Sequence, residues 1–361
     1  MLTDREREIV ALLRRDPLIG SAGIAEALGT TRTAVNVHLS NLGKKGVILG
    51  RGYLLSEAPA VVVVGGANMD VKARSEARAV PATSNPGAGS LTAGGVGRNI
   101  AENLARLGTR VHLVAAVGTD PLGDQLLAIT SAAGVHIEHV RRSAHATGTY
   151  TAVLDADGDL LVAVADMAAT DALAPEDLDP DLIASAALLV LDGNLAPATA
   201  GYLLDLAASS GTRVVVDPVS VPKAARLGAL LGPERPVYAA TPNRDELAAL
   251  SGRPAGTDAQ VEKAIGTLHD RGVAWAWVRL GAGGSLLSGP DGTVHLDAPS
   301  TEVVDVTGAG DAMLAAFCHA LLSGDSPNSA ARYGHAAAAL TCASAYTVRP
   351  DLTDPLIRRS L

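Results

Sequence analysis

The segment Asp305-Val306-Thr307-Gly308-Ala309-Gly310-Asp311 is the most informative part of this 361-residue chain. It leads into an apolar stretch, Ala309–Leu322, that predicts a long helix. Two glycines let backbone N–H groups turn towards one point, where the positive end of the predicted helix also lies. We therefore predict an anion-binding site formed by Gly308, Ala309 and Gly310.

Asp311 would lie at the same helix start, beside a bound phosphoryl group. A carboxylate in this position can accept the proton of an attacking hydroxyl, as phosphoryl transfer to an alcohol requires. A glycine-rich turn capped by Asp is also common at ordinary helix starts, and the short G-A-G turn alone does not separate the two interpretations. The complete D-x-T-G-A-G-D string favours the catalytic interpretation.

A second glycine-rich segment, Gly94-Gly95-Val96-Gly97-Arg98-Asn99, also leads into a predicted helix. Its glycines permit a ligand to approach the backbone closely, and the Asn99 amide offers both a donor and an acceptor. A plain turn at a helix start explains the same residues. Two common patterns are missing, because the sequence has no G-x-x-x-x-G-K-[ST] segment and no G-x-G-x-x-G after the first strand. These absences disfavour a P-loop enzyme and a nicotinamide-dependent enzyme.

Apolar runs alternate with helical patterns from Ala60 onwards, which predicts a doubly wound α/β domain with a mostly parallel sheet. The predicted strands are Val61–Val64, Val111–Val117, Leu188–Leu191, Val214–Val216, Val237–Ala240 and Trp275–Leu280. The predicted helices include Val96–Leu107, Ala198–Ser209, Asp258–Arg271 and Ala309–Leu322. Ligands of such sheets bind beyond the carboxyl ends of the strands, so the polar turns after these runs are the candidate site.

Alternating polarity around Asp155-Ala156-Asp157-Gly158 departs from this plan and predicts a β-hairpin. Together with residues 71–91 it predicts a small β-sheet outside the main fold, with segments at about residues 67–93 and 147–167. A lid over a substrate cleft and an edge hairpin of no special role both fit this pattern.

Residues 1–57 predict a separate domain, which a linker at Glu57-Ala58-Pro59 joins to a second domain at residues 60–361. Apolar spacing predicts helices around Ile9–Leu13 and Ser21–Leu28, then a third helix capped by Thr31 or Thr33. Residues 47–55 predict a hairpin. Three helices and a hairpin resemble a winged helix-turn-helix domain, and a small interaction module is the alternative.

Such a third helix could enter the major groove of DNA, with Asn36 and other polar side chains near base edges. Lys44, Lys45 and Arg51 would then contact phosphates. Residues 1–58 carry eight Lys and Arg against six Asp and Glu, whereas the rest carries 21 against 32 within a net charge of −9. This modest basic excess predicts weak DNA binding unless the protein is dimeric.

Composition narrows the remaining function classes. Aromatic residues make up only 2% of the chain, which disfavours a binding surface of stacked rings. Cys318 and Cys342 are too few for a disulfide framework or a zinc knuckle. The N-terminus lacks the apolar core of a signal peptide, and no apolar stretch approaches the ~20 residues that span a bilayer. We expect a soluble, cytoplasmic protein without a membrane partner.

Five segments, in this order and spacing, resemble the PfkB/ribokinase family of sugar and nucleoside kinases from about Val61 to Leu352. They are Gly66-Ala67-Asn68-Met69-Asp70, Gly94–Asn99, Thr241-Pro242-Asn243-Arg244-Asp245-Glu246, Leu280-Gly281-Ala282-Gly283-Gly284 and Asp305–Asp311. Each is weak alone, whereas five in order are specific. The resemblance implies a ribokinase-like fold with a small β-lid and ATP-dependent phosphorylation of an alcohol.

The resemblance also implies a role for each matching residue. Asp311 would be the base, and Gly308, Ala309 and Gly310 would stabilise charge on the transferring phosphoryl group. The acceptor hydroxyls would be held by Asn68, Asp70, Gly94, Gly95 and Asn99. Asn243 and Glu246 would orient Mg²⁺ and the phosphates, and Gly281 and Gly284 would lie near the nucleotide. Asp305 and Thr307 match a loop that binds a monovalent cation in many relatives, which implies a K⁺ site. Glu246 and Asp305 are the metal candidates among these.

Two positions depart from the family pattern. Arg279 precedes the L-G-x-x-G segment where relatives often carry Thr or Lys, and it would bind phosphate or cap the strand. His335 occupies a place where some relatives have an Asn near adenine, which leaves the adenine pocket open.

The acceptor is implied by the lid and glycine-rich segments. Gly65–Asp70, Thr83–Gly87 and Gly94–Leu104 are similar to the pseudouridine kinase branch, some of whose members carry an amino-terminal winged helix. Asp166 at the end of the second lid segment is a further candidate substrate contact, and a solvated loop acid is the alternative.

Ribose or fructose kinases share the catalytic segments. A DNA-binding regulator whose kinase-like domain senses a nucleoside or sugar is the other alternative, and we expect a homodimer in either case.

Overall fold

The structure is a computed structural model that describes residues 2–50 and 60–361. The chain forms two compact units, Met1–Ala58 and Pro59–Leu361. The division between them falls within the predicted linker. No helix in the two described ranges combines the length and the hydropathy needed to cross a lipid bilayer.

Within its described residues the first unit contains the helices α1 (Asp4–Arg15), α2 (Ser21–Ala27) and α3 (Arg32–Lys44). Thr3 and Glu6 form a reciprocal capping box at α1. Thr31, rather than Thr33, caps α3 by accepting a hydrogen bond from the Ala34 N–H at 3.2 Å. The apolar faces of the three helices meet in a small core formed by Ile9, Leu13, Ile24, Val35 and Leu42.

The outer face of α3 is polar as predicted, with Asn36, Ser40 and Lys44 exposed. Lys45 has a different role from the predicted phosphate contact, since its Nζ lies 2.7 Å from Oε2 of the buried Glu6. Hydrogen bonds from Lys45 and the Thr3 N–H lower the pKa of Glu6 to about 2. Lys45 therefore ties α3 to α1. Arg51 and most of the predicted wing lie outside the described residues.

The second unit contains strands that form one large sheet and two small ones. They are β1 (Val61–Val64), β2 (Asn68–Ser75), β3 (Gly87–Gly94), β4 (Val111–Val114), β5 (Ala116–Gly118), β6 (Arg141–Ser143), β7 (Gly148–Leu154), β8 (Leu160–Asp166), β9 (Leu188–Asp192), β10 (Val214–Asp217), β11 (Val237–Ala240), β12 (Val273–Arg279), β13 (Ser285–Gly289) and β14 (Gly292–Leu296). Among residues 60–361 the large sheet has the order β14-β13-β12-β11-β10-β9-β1-β4. It is parallel from β12 to β4 and antiparallel at β13 and β14, which confirms the predicted, mostly parallel sheet.

Helices cover both faces of this sheet. They are α4 (Val96–Arg106), α5 (Pro121–Ala132), α6 (Ala168–Asp171), α7 (Pro180–Ala184), α8 (Pro197–Ser210), α9 (Val221–Gly228), α10 (Arg244–Ser251), α11 (Asp258–Asp270), α12 (Ala309–Leu322), α13 (Pro327–Cys342) and α14 (Asp354–Arg358). Val61 and Val63 pack with α4, α12 and α13, whereas Val62 and Val64 pack with α8, α10 and α11. Both faces of β1 are thus buried, which explains its uninterrupted run of valines.

The predicted strand Val111–Val117 is two strands separated by Ala115. β4 pairs with β1 from Val61↔Val111 to Val64↔Val114, and β1 ends there. The chain beyond Val114 therefore has no neighbouring strand in the large sheet. It continues as β5, which pairs with β6 in a separate two-stranded sheet.

The predicted small β-sheet is present in the order β3-β2-β7-β8. β2 pairs with β3 from Asn68↔Gly94 to Ser75↔Gly87, and β7 pairs with β8 across the predicted hairpin. β8 lies at one edge of this sheet and is exposed along its whole length. This four-stranded sheet is called the lid below.

Candidate active site

The carboxyl ends of β1, β9, β10, β11 and β12 meet at one edge of the large sheet because these strands are parallel. β1 lies between β4 and β9, so the chain connections diverge there and leave a crevice. The segments that follow β1, β11 and β12 carry Asn68, Asp70, Asn243, Glu246, Gly281 and Gly284 of the predicted site residues. The sheet thus places them at one edge.

The start of α12 has the geometry predicted for an anion site. Gly308 caps the helix with a φ of +79°, and a Cβ there would collide with the Thr347 carbonyl oxygen, so only glycine fits. The Ala309 N–H donates to the Val306 carbonyl oxygen at 3.2 Å. The next N–H groups, of Gly310 and Asp311, have no acceptor within the helix, as at any helix start. They are the better donors for a bound anion.

Asp311 is the third residue of α12 and lies against α4. Its Oδ2 accepts a hydrogen bond from Asn99 Nδ2 at 2.8 Å. Burial raises the pKa of Asp311 to about 8, the Asn99 bond and Arg279 oppose the rise, and the charges of Asp217 and Asp192 add to it. A carboxyl with this pKa exchanges its proton near neutral pH, which suits a general base.

Arg279, the last residue of β12, lies beside this helix start. Its Nη1 is 3.4 Å from Asp217 Oδ2 and its Nη2 is 3.2 Å from Glu246 Oε2. A Cβ on Gly310 would lie 2.5 Å from Nη1, so this glycine makes room for the guanidinium. The buried Nε has no partner among the described residues. A guanidinium that lines a cleft next to the predicted anion site fits a phosphate group.

Asn243 and Glu246 form a capping box at the start of α10. Each side-chain oxygen accepts a hydrogen bond at 2.9 Å from the backbone N–H of the other residue. Burial raises the pKa of Glu246, and Arg279 and the Asn243 N–H lower it. A single carboxylate beside phosphate oxygens suits Mg²⁺, which usually keeps several waters. In residues 2–50 and 60–361, three potential metal ligands come together only at His112, His136 and Glu138. Glu246 therefore forms no metal cage by itself.

The two residues that the resemblance links to a monovalent cation contact each other. Asp305 Oδ1 accepts hydrogen bonds from the Thr307 N–H at 2.8 Å and from Thr307 Oγ1 at 2.7 Å. Asp305 is partly buried and Thr307 is exposed, on the loop before α12. This contact gives the loop a fixed shape next to the anion site.

The predicted acceptor-binding residues form a second cluster at the base of the lid. Asn68 Nδ2 donates to Asp70 Oδ1 at 2.8 Å, and Gly94 lies opposite Asn68 in the neighbouring strand. A Cβ on Gly94 would collide with the Asp70 carboxylate, and Gly95 has a φ of +98° where it caps α4. Burial raises the pKa of Asp70, whereas the Asn68 bond lowers it. Asn99 follows on α4 and links this cluster to Asp311.

Asp166 is the last residue of β8 and is exposed. Asp166 pairs with Thr149 on β7. The residue before Thr149 is Gly148, and Gly148 lies opposite Asn68 on β2. Asp166 Oδ1 accepts a hydrogen bond from the Ala168 N–H at 3.1 Å. Asp166 is therefore two strands from Asn68 in the same sheet, and it contacts neither Asp70 nor Asp311 through a described hydrogen bond.

Asp192 holds the acceptor cluster together, although the sequence indicated only its position at a strand end. It is buried, and its carboxylate accepts hydrogen bonds at 2.8 Å from the N–H groups of Gly66, Gly97 and Asn194. Burial raises the pKa of Asp192, while these donors lower it. The residue clamps the turn after β1 to the start of α4. The signal in the sequence is an Asp directly after the apolar run Leu188–Leu191.

A cleft of about 600 Å³ adjoins the start of α12. Arg279, Gly281, Gly284 and Gly310 line its phosphate end, and His335 and Ala338 of α13 line the other side. Gly284 has a φ of +78°, and a Cβ there would collide with the Leu296 carbonyl oxygen. The volume is within the range of small-molecule sites. The predicted nucleotide residues thus share one cleft with the predicted phosphate residues.

His335 is fixed in this cleft by two neighbours. Ser285 Oγ accepts a hydrogen bond from the Trp277 indole N–H at 2.8 Å and lies 2.7 Å from His335 Nε2. Burial lowers the pKa of His335, which keeps the ring neutral near pH 7. The neutral ring is thus a wall of the cleft.

Comparison with known proteins agrees with this geometry. Residues 58–354 match the model of the pfkB family carbohydrate kinases, and residues 2–48 match a model described as winged helix-turn-helix DNA-binding. The chain belongs to the pfkB family of carbohydrate kinases. It is a sugar or nucleoside kinase of that family with an amino-terminal winged helix-turn-helix domain.

Three relatives illustrate the relationship. The chain is 36% identical to an uncharacterized sugar kinase, YeiI, of Escherichia coli, over 98% of this chain and 97% of that protein. It is 34% identical to the pseudouridine kinase of Escherichia coli, over 83% of this chain and 95% of that protein. The structure of Arabidopsis thaliana ribokinase complexed with ribose and ATP superposes with a TM-score of 0.74 and 26% identity, covering 84% of this chain and 99% of that one. The ribokinase-like fold is thereby confirmed.

The position and environment of Asp311 generate a pH prediction for this pfkB-family kinase. A base must be ionised to accept a proton, so kcat/KM should rise with pH through an apparent pKa of about 8 and level off above it. Asp311→Asn should lower kcat by about 10²–10⁴-fold and remove this rise. Steady-state rates from pH 5.5 to 9.5 measure both effects.

Asp245→Asn is the matched control, because Asp245 is an exposed carboxylate in the first turn of α10. It should leave the profile unchanged. A rise through the same pKa that persists in Asp311→Asn would show that another group is the base.

Proposed function

We propose that the chain transfers the γ-phosphoryl group of ATP to the 5′-hydroxyl of a nucleoside, with pseudouridine as the acceptor and pseudouridine 5′-phosphate as the product. The observation that carries this proposal is the position of Asp311, bonded to Asn99 at the start of α12. That position joins the acceptor cluster below the lid to the helix start that accepts an anion. An acceptor hydroxyl between the two would lie within reach of a base and of a phosphoryl group.

The residues of the chain would act mainly by positioning and by stabilising charge. Asp311 would take the proton of the acceptor hydroxyl, and the N–H groups at the start of α12 would bind the equatorial oxygens of the transferring group. Arg279, which lines the cleft, would contact the phosphates. Gly281 and Gly284 leave space for the nucleotide, whose base would lie against the neutral ring of His335.

Mg²⁺ would neutralise charge on the phosphates when it is bound, with Glu246 and Asn243 as the nearest predicted ligands. Glu246 Oε2 now accepts from Arg279, so a metal-bound water would compete for this oxygen. K⁺ would bind near the loop that Asp305 and Thr307 fix. These roles are parts of the proposal.

The acceptor proposal is supported by the lid and by one relative. The chain is 34% identical to a pseudouridine kinase and 30% identical to a ribokinase. Pseudouridine differs from uridine by an N1–H donor on its base, and a carboxylate is the natural acceptor for such a group. Asp166, at the end of β8, is an exposed carboxylate in the same sheet as Asn68. We propose that it accepts from this N1–H.

A panel of acceptors tests this proposal directly. Purified full-length protein with Mg²⁺, K⁺ and ATP should release ADP fastest with pseudouridine, more slowly with uridine, and slowest with ribose or fructose.

Asp166→Asn should reduce the preference for pseudouridine over uridine by about 10-fold, the loss of one good hydrogen bond. Asp159→Asn, another exposed lid carboxylate, is the control.

Other outcomes separate the alternatives. A preference for ribose or fructose would identify a sugar kinase with the same catalytic residues. If no nucleoside or pentose is phosphorylated while one of them binds, the kinase-like unit is a sensor and the enzymatic proposal fails.

We also propose that the first unit binds DNA through α3. Its polar face exposes Asn36, Ser40 and Lys44, and residues 2–48 match a DNA-binding family.

On the DNA upstream of its own gene, binding should weaken steeply as salt rises. Lys44→Ala should reduce the slope of log K against log salt by about 1, as expected for one lost phosphate contact.

Arg14→Ala is the comparison variant, because Arg14 is an exposed cation on α1 of the same unit. It should leave the slope unchanged. If the wild type causes no mobility shift even at low salt, the unit is an interaction module instead.

We propose finally that two copies pair through their lids. The edge strand β8 exposes Leu160, Leu161, Val162 and Val164, each at least half exposed. An apolar edge of this kind favours pairing with an identical strand in a two-fold dimer. Val162 and Val164 point to the same side of the strand.

The dimer is tested by light scattering after size-exclusion chromatography. Val162→Glu with Val164→Glu should convert a dimer into a monomer. Val294→Glu at the exposed edge strand β14 should not. A wild-type monomer at micromolar concentration would contradict the proposal.

A further inference from the structure

Arg98 is a buried cation that the proposed chemistry does not use directly. It follows Gly97 in the first turn of α4 and is 2% exposed. Burying a guanidinium is costly unless its charge and its donors are satisfied. The contacts that Arg98 makes therefore need a reason.

Most donors of Arg98 hold the residue in place. Its Nη2 forms an ion pair with Glu102 one turn later, and its Nε donates to Thr130 Oγ1 at 3.3 Å. The Glu102 carboxylate also accepts from Arg106 Nε at 2.9 Å. The buried carboxylate thus lies between two arginines and is neutralised on both sides.

The remaining donor points towards the proposed base. Arg98 Nη1 donates to Asn99 Oδ1 at 3.2 Å and to the Ala93 carbonyl oxygen at 3.4 Å. A side-chain amide has one oxygen and one NH₂ group, so a cation on the oxygen fixes which end is which. With Oδ1 held by Arg98, Nδ2 must point to Asp311, where it donates at 2.8 Å.

We propose that Arg98 is a positioning residue that orients the Asn99 amide so that it donates to Asp311. The chain of contacts runs from Glu102 through Arg98 and Asn99 to the carboxylate. A flipped Asn99 would present its oxygen to the carboxylate, which would repel the ionised base. The oriented amide instead favours the ionised form and fixes one carboxylate oxygen, which leaves the other for the acceptor hydroxyl. This inference rests on the proposed function.

Other charged groups also face Asp311 and shift its pKa. Asp192 and Asp217 lie at the ends of β9 and β10 and raise its pKa, whereas Arg279 on β12 lowers it. None of them belongs to the Glu102–Arg98–Asn99 chain through a described hydrogen bond. A change that passes through Asn99 can therefore be separated from a general change of charge.

The test uses Arg98→Lys, which keeps the positive charge beside Glu102 but lacks the planar fork that reaches Asn99. With pseudouridine and ATP, we expect kcat/KM at pH 7 to fall by about 10-fold, as for one lost hydrogen bond to a charged group. The rise of kcat/KM should also move to higher pH, because losing the Asn99 donor raises the pKa of Asp311. Arg106→Lys is the matched control, since Arg106 binds the same Glu102 without touching Asn99.

A double-mutant cycle shows whether the effect passes through Asn99. In an Asn99→Ala background, Arg98→Lys should produce no further shift of the pH profile. An equal shift in both backgrounds, or an equal shift in Arg106→Lys, would overturn the proposal and leave a purely structural ion network. If Arg98→Lys does not fold, the neutral pair Arg98→Gln with Glu102→Gln replaces it, because that pair leaves no unpaired buried charge.

A readout without turnover separates this proposal from the proposed function. Asp311 keeps its proton to higher pH in the folded chain than in the unfolded chain. Relative to Asp311→Asn, the wild type should therefore lose stability as pH rises from about 4 and level off above about 8. In Arg98→Lys the pH at which stability levels off should be higher. If thermal unfolding shows that the stability of Arg98→Lys levels off at the same pH as that of the wild type, the proposal is contradicted. This result would count even if no acceptor is phosphorylated.

Discussion

The hydrogen bond between Asn99 and Asp311 joins two helix starts that are 212 residues apart in the chain. Asn99 belongs to the glycine-rich start of α4, and Asp311 belongs to the glycine-rich start of α12. The contact requires both helix starts to reach the same edge of the sheet, so it depends on the order β9-β1-β4 and on the packing of α4 against α12. The proposed acceptor side and the proposed phosphate side of the site meet at this bond.

The charged side chains at this edge of the large sheet lower the stability of the fold. Asp192 and Asp217 lie close enough to Asp311 to raise its pKa, and Arg279 is the opposing cation beside them. Repulsion among buried carboxylates disfavours folding, and backbone donors offset part of it at Asp192. If Asp311 acts as the proposed base, this arrangement lets it ionise near neutral pH, where a solvated Asp would be a much weaker base. Gly310 leaves room for the Arg279 guanidinium, and Gly94 leaves room for the nearby Asp70 carboxylate.

Local patterns predicted the fold and the chemical segments well. The apolar runs predicted the parallel strands, and the glycine-rich strings predicted the starts of α4 and α12, because both signals depend on neighbouring residues. Contacts between distant residues were not predictable in this way. Asp192 bonds N–H groups 126 and 95 residues away, and Lys45 pairs with Glu6 across the first unit. The break at Ala115 likewise depends on where the neighbouring strand β1 ends.

The proposed chemistry requires one acceptor hydroxyl to lie between Asp311 and the anion site at the start of α12. A crystal structure of the full chain with pseudouridine and a non-hydrolysable ATP analogue would show whether it does. We expect the 5′-hydroxyl within about 2.6–3.2 Å of an Asp311 carboxylate oxygen. We also expect the γ-phosphoryl group over the N–H groups of Gly310 and Asp311, with Asn99 Nδ2 still bonded to the carboxylate. A nucleoside bound with another group against Asp311, or phosphates bound away from α12, would contradict this arrangement.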